Sequence, residues 1–341
     1  LLISLKCSDS DADRLLPVIG WMMTNPHLDS EQIMLERELS LQALQRQKEN
    51  PFQLAFDGWR HLAYGDGPYG HDPLGLSNDV KTLTRRKLLP LADKLINKEK
   101  VMAIAGIFPS DLDKRLQEIK PFDQLLTKKK KLLSFSNEDH QNRNRKSNNP
   151  TLSLQSESTA QVVLMLGQAT IPHGHKDDLA LRLLSCHLGS GMSSLLFKEL
   201  REKHGVAYDV GVHHPTREGP APFLVHVSTS EKKAMLTLKL LLGIWESIEE
   251  KQLSEKDLAL ARAKFRGQIA HGSQTVGQRA ERKAILRILK LGNNFDSNSI
   301  DSIESITSKD IQAAARKYLT EPLLSMCGPE ITIKNLARSW N

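Results

Sequence analysis

A polar, basic stretch near the middle of the chain limits what this sequence can fold into. Residues 134–150 contain almost no apolar side chain that could anchor them in a core, because the run reads Ser-Phe-Ser-Asn-Glu-Asp-His-Gln-Asn-Arg-Asn-Arg-Lys-Ser-Asn-Asn-Pro. At 341 residues the chain is long enough for about two domains, each with its own core. We therefore predict a first domain at residues 1–126, a basic polar linker at residues 127–150 and a second domain at residues 151–341.

The linker also carries most of the positive charge. Of a formal net charge of +7 it contributes +5, from seven Lys and Arg residues and two acidic residues. The remainder is nearly balanced, and with four Trp and four Tyr residues the chain has no basic aromatic surface on which nucleic-acid bases could stack. The sequence also lacks a run of about 18 apolar residues that could cross a bilayer. Composition therefore argues against nucleic-acid binding and against a membrane span.

Cysteine usage bears on the compartment. Cys7, Cys186 and Cys327 are far apart and no Cys-x-x-Cys pair occurs, which argues against a disulfide framework or a cysteine-based zinc site. A reducing compartment, the cytoplasm or the interior of an organelle, is favoured, and the sequence does not distinguish between the two. The chain starts Leu-Leu-Ile, and we expect an N-terminal piece with any targeting signal to precede it.

Apolar periodicity in the first half predicts an α+β domain. Helical spacing favours helices at residues 11–24, 30–48, 51–63 and 84–97. Residues 65–70 are rich in glycine and interrupt the helical pattern. Residues 100–106 are mostly apolar and are predicted to form a buried strand.

The end of the chain repeats this order of a helix followed by a strand. At a constant offset of 223 residues, Val80, Leu83, Thr84, Leu88 and Lys94 correspond to Ile303, Ile306, Thr307, Ile311 and Lys317. After a slip of one residue, residues 103–106 correspond to residues 325–328, again an apolar stretch that ends in glycine. A repeat of about 220 residues is too long for a solenoid and indicates duplication of a whole domain. Chance similarity of two helix–strand patterns is the alternative.

The second half contains further helices and strands. We predict a strand at residues 160–167, a helix near residues 176–188 that Gly189 ends, and a second helix that Ser193 or Ser194 caps and Gly205 ends. Beyond Gly205 the alternation of side chains places Val206, Tyr208, Val210 and Val212 on one face of a strand.

Common catalytic motifs are absent from the sequence. There is no G-x-x-x-x-G-K-[ST] phosphate loop, no G-x-G-x-x-G turn and no G-x-S-x-G nucleophile elbow. A helical zinc protease needs two histidines four residues apart, and no two of the 12 histidines have that spacing. His173 and His175, and likewise His213 and His214, are interpreted as solvated loop residues, because no carboxylate is locally tied to either pair.

One segment of the second half carries a specific resemblance. Residues 189–208 read Gly-Ser-Gly-Met-Ser-Ser-Leu-Leu-Phe-Lys-Glu-Leu-Arg-Glu-Lys-His-Gly-Val-Ala-Tyr and resemble the second-domain signature of the insulinase/pitrilysin peptidases, the M16 family that includes the mitochondrial processing peptidase. Arg201 and Tyr208 keep the seven-residue spacing of that family's Arg/Tyr pair. The resemblance implies that these two side chains hold substrate carbonyls and stabilise the oxyanion of a tetrahedral intermediate. It also implies that Gly189, Gly191 and Ser193 contribute to substrate binding.

The resemblance extends into the first half. Asn25-Pro26, the Glu-Arg-Glu of residues 36–38, Asn50-Pro51 and the Tyr-Gly-Asp-Gly-Pro-Tyr-Gly of residues 64–70 resemble consecutive first-domain landmarks of the same family. It implies a duplicated α+β fold in which two homologous α/β-sandwich domains face each other across a cleft. Such a fold would account for the internal repeat.

The resemblance is incomplete at the metal. In the family, the glutamate seven residues after the second glutamate of the Glu-Arg-Glu stretch binds zinc, and this chain has Gln45 at that position. An amide carries no negative charge to hold Zn²⁺, and Glu49 lies one helical turn further along. Glu38 matches a family acid near the metal, or is simply a solvated helix residue. We therefore predict no metal ligand set in this chain, and the resemblance places Zn²⁺ on a partner chain.

Three functions are consistent with these observations, and whether this chain alone is an enzyme stays open. The first is a zinc-less M16 subunit that supplies Arg201 and Tyr208 and is inactive alone, with a peptide substrate and a metal-bearing M16 partner in a heterodimer, or a second copy in a homodimer. The second is a self-sufficient zinc metalloendopeptidase truncated at its N-terminus. The third is a non-catalytic scaffold of the same fold, and the intact Arg/Tyr pair argues against it.

Overall fold

One five-stranded mixed sheet is present in a computed structural model that describes residues 1–98, 100–123 and 150–340. Its strands are β1 (Leu152–Ser156), β2 (Gln161–Ala169), β3 (Asp209–His213), β4 (Pro222–Ser230) and β5 (Leu323–Gly328). They lie in the order β1-β5-β2-β4-β3, with β1 parallel to β5 and the other neighbours antiparallel. Apart from its last residue, the predicted linker at 127–150 lies outside the described residues.

The helices are distributed over both halves of the sequence. They are α1 (Ala12–Thr24), α2 (Ser30–Lys48), α3 (Pro51–Tyr64), α4 (Ser77–Lys81), α5 (Arg85–Asn97), α6 (Leu112–Gln117), α7 (Asp178–Gly189), α8 (Ala234–Glu250), α9 (Glu255–His271), α10 (Val276–Ile288), α11 (Phe295–Ser302), α12 (Ser308–Tyr318) and α13 (Glu330–Ala337). Residues Phe197–Lys203 form a π-helix. None of the described helices combines the length and the apolarity needed to cross a membrane.

The central strands of the sheet are buried on both faces. β2 is close to a continuous apolar run rather than an alternation of apolar and polar residues, and residues 162–166 have no exposed surface. This is the pattern of a strand that is covered from both sides. β5 is likewise buried along its whole length.

Helix α3 packs against β1, β2 and β5. Its residues Ala55 and Trp59 are fully buried and belong to one core cluster with Val163, Met165 and Cys327. The indole N–H of Trp59 donates a hydrogen bond to the carbonyl of Gly167 at 3.2 Å, so the polar atom of this large side chain is satisfied inside the core. A helix from the first half of the sequence is thus part of the core of the second half.

The chain folds into two compact units, neither of which is a continuous stretch of sequence. The sheet unit is built from the described parts of residues 43–76, 139–268 and 296–341, and includes α3. The helical unit is built from the described parts of residues 1–42, 77–138 and 269–295, and includes α10. The boundaries of 1–126, 127–150 and 151–341 stay a prediction about evolutionary domains.

The turn at residues 64–70, one of the first-half landmarks, contacts the loop between β3 and β4. The hydroxyl of Tyr64 donates to the carbonyl of Pro220 at 3.1 Å, and the hydroxyl of Tyr69 accepts from the backbone N–H of Gly219 at 3.1 Å. Arg217 lies over the ring of Tyr69, 5.0 Å from its centroid. The two tyrosines therefore tie the end of α3 to this loop.

Most predicted secondary structure is confirmed. The helices predicted at residues 11–24, 30–48, 51–63 and 84–97 are α1, α2, α3 and α5. The strand predicted at residues 160–167 is β2, and the helix predicted near residues 176–188 is α7. The strand predicted at residues 100–106 is wrong, because residues 101–105 have no regular structure and the strands of the sheet all come from residues 152–328. An apolar run becomes a strand only where a neighbouring strand pairs with its N–H and C=O groups.

The fit of α3 on the sheet predicts the effect of substituting Gly58. A Cβ atom at this position would lie 2.6 Å from the hydroxyls of Ser153 in β1 and Ser325 in β5. We expect Gly58→Ala to lower the free energy of unfolding by about 1–3 kcal/mol, because the two hydroxyls must rotate away inside the core or the helix must move away from the sheet. Urea titration followed by circular dichroism measures this change.

Gly243 is the matched control, since it also lies inside a helix but nothing is within 4 Å of its Cβ position. Gly243→Ala should raise the free energy of unfolding by about 0.5–1 kcal/mol through helix propensity alone. Equal effects of the two substitutions would show that Gly58 is not a point of close contact.

Candidate functional site

The segment that connects α7 to β3 carries the residues predicted to be functional. α7 ends at Gly189, the π-helix follows, and Gly205 has a φ of +60° before the chain enters β3. The backbone N–H groups of Val206 and Ala207 both donate to the carbonyl of Leu200, at 2.8 and 3.2 Å. π-Helices are rare and are often found at functional sites. The fold-back at Gly205 places Arg201 and Tyr208 on two consecutive, well-anchored elements.

The three residues predicted to bind substrate have different environments. Gly189 has no room for a side chain, because a Cβ atom there would lie 2.7 Å from both the backbone nitrogen and Cγ2 of Val212 in β3. Gly191 has a φ of +71°, a conformation that favours glycine. Ser193 is exposed. Close packing and backbone conformation therefore explain why glycine stands at positions 189 and 191. A role of all three residues in substrate binding stays a prediction.

The side chain of Arg201 is exposed on the π-helix and rests on an aromatic ring. Its Cζ atom lies 5.2 Å from the centroid of Phe197, one turn earlier. The nearby carboxylate of Glu199 is engaged by Lys203 at 2.9 Å and lies 4.0 Å from His204. Within the described parts of the chain, no carboxylate oxygen lies within 4.0 Å of the Arg201 guanidinium. Its N–H groups are thus available to a ligand.

Tyr208 is exposed at the point where β3 begins. Its side chain is 64% accessible, and its backbone N–H donates to the carbonyl of Ser228 in β4 at 2.8 Å. The strand predicted from residue 206 starts only at Asp209, because the N–H groups of Val206 and Ala207 bond to the π-helix. Val206 is buried and Tyr208 is exposed, so the prediction that both lie on one face of a strand is wrong.

The prediction that His173 and His214 are solvated is wrong. Both side chains are buried beside the carboxylate of Asp178, the first residue of α7: His173 Nδ1 lies 2.7 Å from Oδ2, and His214 Nε2 lies 3.7 Å from Oδ1. Arg182 Nε and the N–H of Gly174 also donate to Oδ2, at 2.9 and 3.2 Å. The sequence did contain one signal of this cluster. Asp178 lies five residues after His173, at the N-terminus of a predicted helix, where a carboxylate is favourable.

The charge state of this cluster follows from its contacts. Burial by itself would raise the pKa of Asp178, but the hydrogen bond with His173, the nearby His214 ring and the charge of Arg182 hold that pKa well below its ordinary value. His213, also predicted to be solvated, is largely buried instead, and burial together with Arg217 lowers its pKa to about 4. Asp178 is therefore an ionised structural carboxylate, and His213 is neutral at neutral pH.

Comparison with known proteins shows which proteins the chain is similar to. A family model described as the Peptidase M16 inactive domain matches residues 101–265. An uncharacterized zinc protease of Rickettsia felis is 26% identical over 328 residues, which cover 91% of this chain and 73% of that protein. Over the matched residues the chain is thus similar to the M16 peptidase family.

Two solved structures with M16 or protease titles share the fold. The peptidase M16 inactive domain from Pseudomonas fluorescens superposes with a TM-score of 0.76 at 19% identity, over 94% of this chain and 76% of that one. A protease from Helicobacter pylori superposes with a TM-score of 0.75 at 16% identity, over 94% and 77%. The mixed α+β architecture of this chain is thus shared with both solved structures.

The residues at the metal position that the M16 resemblance implies do not fit zinc. Gln45 is exposed on α2, and its Nε2 donates a hydrogen bond to Oε1 of Glu49 at 3.3 Å. The side chain therefore contributes a neutral amide where an anionic oxygen is required. Glu38 is exposed on the same helix. Over residues 1–98, 100–123 and 150–340, no group of three or more His, Cys, Asp or Glu side chains is placed to hold a metal ion.

The contacts of Asp178 predict how its substitution changes the free energy of unfolding and how this change depends on pH. Asp178→Ala should lower the free energy of unfolding at pH 7 by about 3–5 kcal/mol, because it leaves Arg182 partly buried without its carboxylate. A group whose pKa is lowered by folding stabilises the folded state above its unfolded pKa of about 3.9, and this contribution is lost as pH falls through the lower, folded value. Chemical denaturation at several pH values measures both effects.

Asp301→Asn is the control, since Asp301 is exposed on α11 and should change stability by less than about 0.5 kcal/mol. The difference between the parent chain and Asp178→Ala should narrow below about pH 4. A difference that stays constant into strong acid would contradict an ionised, hydrogen-bonded Asp178.

Proposed function

We propose that this chain is a subunit of a two-chain M16 peptidase that supplies Arg201 and Tyr208, while a metal-bearing partner subunit holds the zinc. The observation that carries the proposal is the combination of two exposed donors on anchored elements with an amide at the expected metal position. Arg201 is free of carboxylates within 4.0 Å among the described residues, and Tyr208 is 64% accessible. Gln45, by contrast, donates to Glu49.

The chemistry of the two side chains suits a role toward a peptide carbonyl. A guanidinium has five N–H donors, no acceptor and a permanent charge, and a phenol adds one O–H donor. Donors that are already in position interact more strongly with an oxyanion than with the ground-state carbonyl, so they lower the barrier to peptide-bond hydrolysis. The hydrogen bonds of Val206, Ala207 and Tyr208 hold the backbone between them in place.

We further propose that the chain is a duplicated fold, as its internal repeat suggests. Five pairs of helices follow each other at an offset close to 223 residues: α1 and α8, α2 and α9, α3 and α10, α4 and α11, α5 and α12. Thr84 and Thr307 precede α5 and α12 at that same offset. The third helix of each half, α3 or α10, belongs to the compact unit of the other half. A reciprocal exchange of this kind is natural for two copies of one domain.

Equivalent positions of α1 and α8 support the same interpretation. Leu15, Val18 and Met22 of α1 correspond at this offset to Leu238, Leu241 and Trp245 of α8, so both helices have the same apolar face. In α8 this face is buried. Homologous halves would give the peptidase two related domains, with the Arg/Tyr pair in the second.

The catalytic role of the pair is tested by substitution. In the assembly of this chain with its metal-bearing partner, Tyr208→Phe and Arg201→Met should each lower kcat for peptide cleavage by about 10²–10³, the effect of removing one oxyanion donor. Steady-state kinetics with a fluorogenic unstructured peptide measures this. Arg338→Met, at an exposed arginine on another element, is the matched control and should leave kcat unchanged. Rates unaffected by either site variant would reject the proposal.

Metal content tests the assignment of zinc to the partner. We expect the isolated chain, after dialysis against zinc and then against metal-free buffer, to retain much less than one zinc per chain in plasma mass spectrometry. The physical reason is that Gln45 lacks the anionic oxygen that a zinc site requires. One tightly bound zinc per chain would instead favour the self-sufficient metalloendopeptidase. If the chain is instead a non-catalytic scaffold, its assembly with the zinc-loaded partner should cleave no peptide.

A further inference from the structure

We propose that Phe197 is a positioning residue for Arg201: its ring holds the guanidinium in place without using any of its N–H donors. This inference rests on the proposed function of the Arg/Tyr pair. It assigns a task to a residue that lies next to the pair but does not itself donate to a substrate.

The contact between the two side chains is direct. The Cζ atom of Arg201 lies 5.2 Å from the centroid of the Phe197 ring, within the range in which a cation is attracted to the face of an aromatic ring. The two residues are four positions apart on the π-helix, where they share one side of the helix. An arginine on a helix has high rotamer freedom, and the ring removes part of that freedom before a substrate arrives.

The nature of the contact matters for catalysis. An arginine can be immobilised by a carboxylate, but then its N–H groups are already paired and its charge is partly neutralised. A ring face accepts no conventional hydrogen bond, so the guanidinium keeps its donors for a carbonyl or an oxyanion. The carboxylate of Glu199, two residues away, is paired with Lys203 at 2.9 Å rather than with Arg201. Among the described residues the ring of Phe197 is the contact that supports the guanidinium.

The helix that carries the Phe197 ring is anchored in the core. Leu196 and Leu200, which flank Phe197 along the helix, are fully buried. The carbonyl of Leu200 also accepts the N–H groups of Val206 and Ala207, which lead to Tyr208. Phe197 is half-buried, so one part of its ring is held by the protein while Arg201 covers another part. The support of Arg201 and the backbone of Tyr208 therefore depend on the same short helix.

The first test uses the isolated chain and does not depend on activity. With arginine labelled in ¹³C and ¹⁵N, the Hδ and Hε resonances of Arg201, assigned from the spectrum of Arg201→Lys, should be shifted upfield by the ring current of Phe197. The shift should persist in Phe197→Tyr, which keeps the ring, and vanish in Phe197→Leu. Random-coil Arg201 resonances in the parent chain would overturn the proposal without any variant.

The second test measures the effect on cleavage in the assembly with the metal-bearing partner. Phe197→Leu should lower kcat by about two- to fivefold with a smaller change in KM, as expected for an exposed cation–π contact that positions a transition-state donor. Phe197→Tyr should retain the parent kcat. In an Arg201→Met background, Phe197→Leu should cause no further loss, because Phe197 acts only through Arg201.

The outcomes separate this inference from the function on which it rests. A large loss in Arg201→Met with unchanged kcat in Phe197→Leu would retain the function and overturn the positioning role. A further loss from Phe197→Leu in the Arg201→Met background would also overturn it, since a general structural effect would then be responsible. No loss in Arg201→Met would reject the proposed function, and the positioning role with it.

Discussion

The packing of α3 on the sheet is the interaction on which the rest of this structure depends. Trp59 is completely buried among residues of β2 and β5 and donates its only polar hydrogen to Gly167, and Gly58 allows the helix axis to approach β1 and β5 closely. The turn that follows α3 is tied by Tyr64 and Tyr69 to the loop between β3 and β4. One helix from the first half of the sequence thereby contributes to the unit that positions both β3 and the Arg/Tyr segment.

A second constraint acts on the other side of β3. Asp178 is the first residue of α7, and its Oδ2 is in contact with His173 and accepts hydrogen bonds from Arg182 and from the N–H of Gly174. His214, just after β3, lies beside Oδ1. At the opposite end of α7, Gly189 lies against Val212 of β3. The helix that precedes the candidate site and the strand that follows it are thus held together at both ends. The backbone that carries the exposed donors is therefore fixed on both sides, and the contact with the Phe197 ring restricts the Arg201 side chain in addition.

The segment that carries the proposed site could be selected from the sequence because it is local. Arg201 and Tyr208 are seven residues apart with a glycine between them, and a helix, a glycine turn and a strand follow from spacing and composition. Gln45 was identified for the same reason, because its distance from the Glu-Arg-Glu stretch is that of the metal ligand that the M16 resemblance implies. The π-helix, the support that Phe197 gives to Arg201 and the pairing of Glu199 with Lys203 were not, because they depend on how one turn of helix is wound and on which rotamers it allows.

The sequence by itself determined the order and type of most helices and strands and the spacing of Arg201 and Tyr208, because these follow from short-range periodicity and composition. Only the tertiary structure decided that α3 joins the sheet of the other half, that His173 and His214 are buried on Asp178, and that residues 101–105 are not a strand. The physical reason is the same for all three. Burial, ion pairing and strand formation each require a partner that is distant along the chain or on another element. Local periodicity indicates which structures a segment can form, but not which residues it will contact.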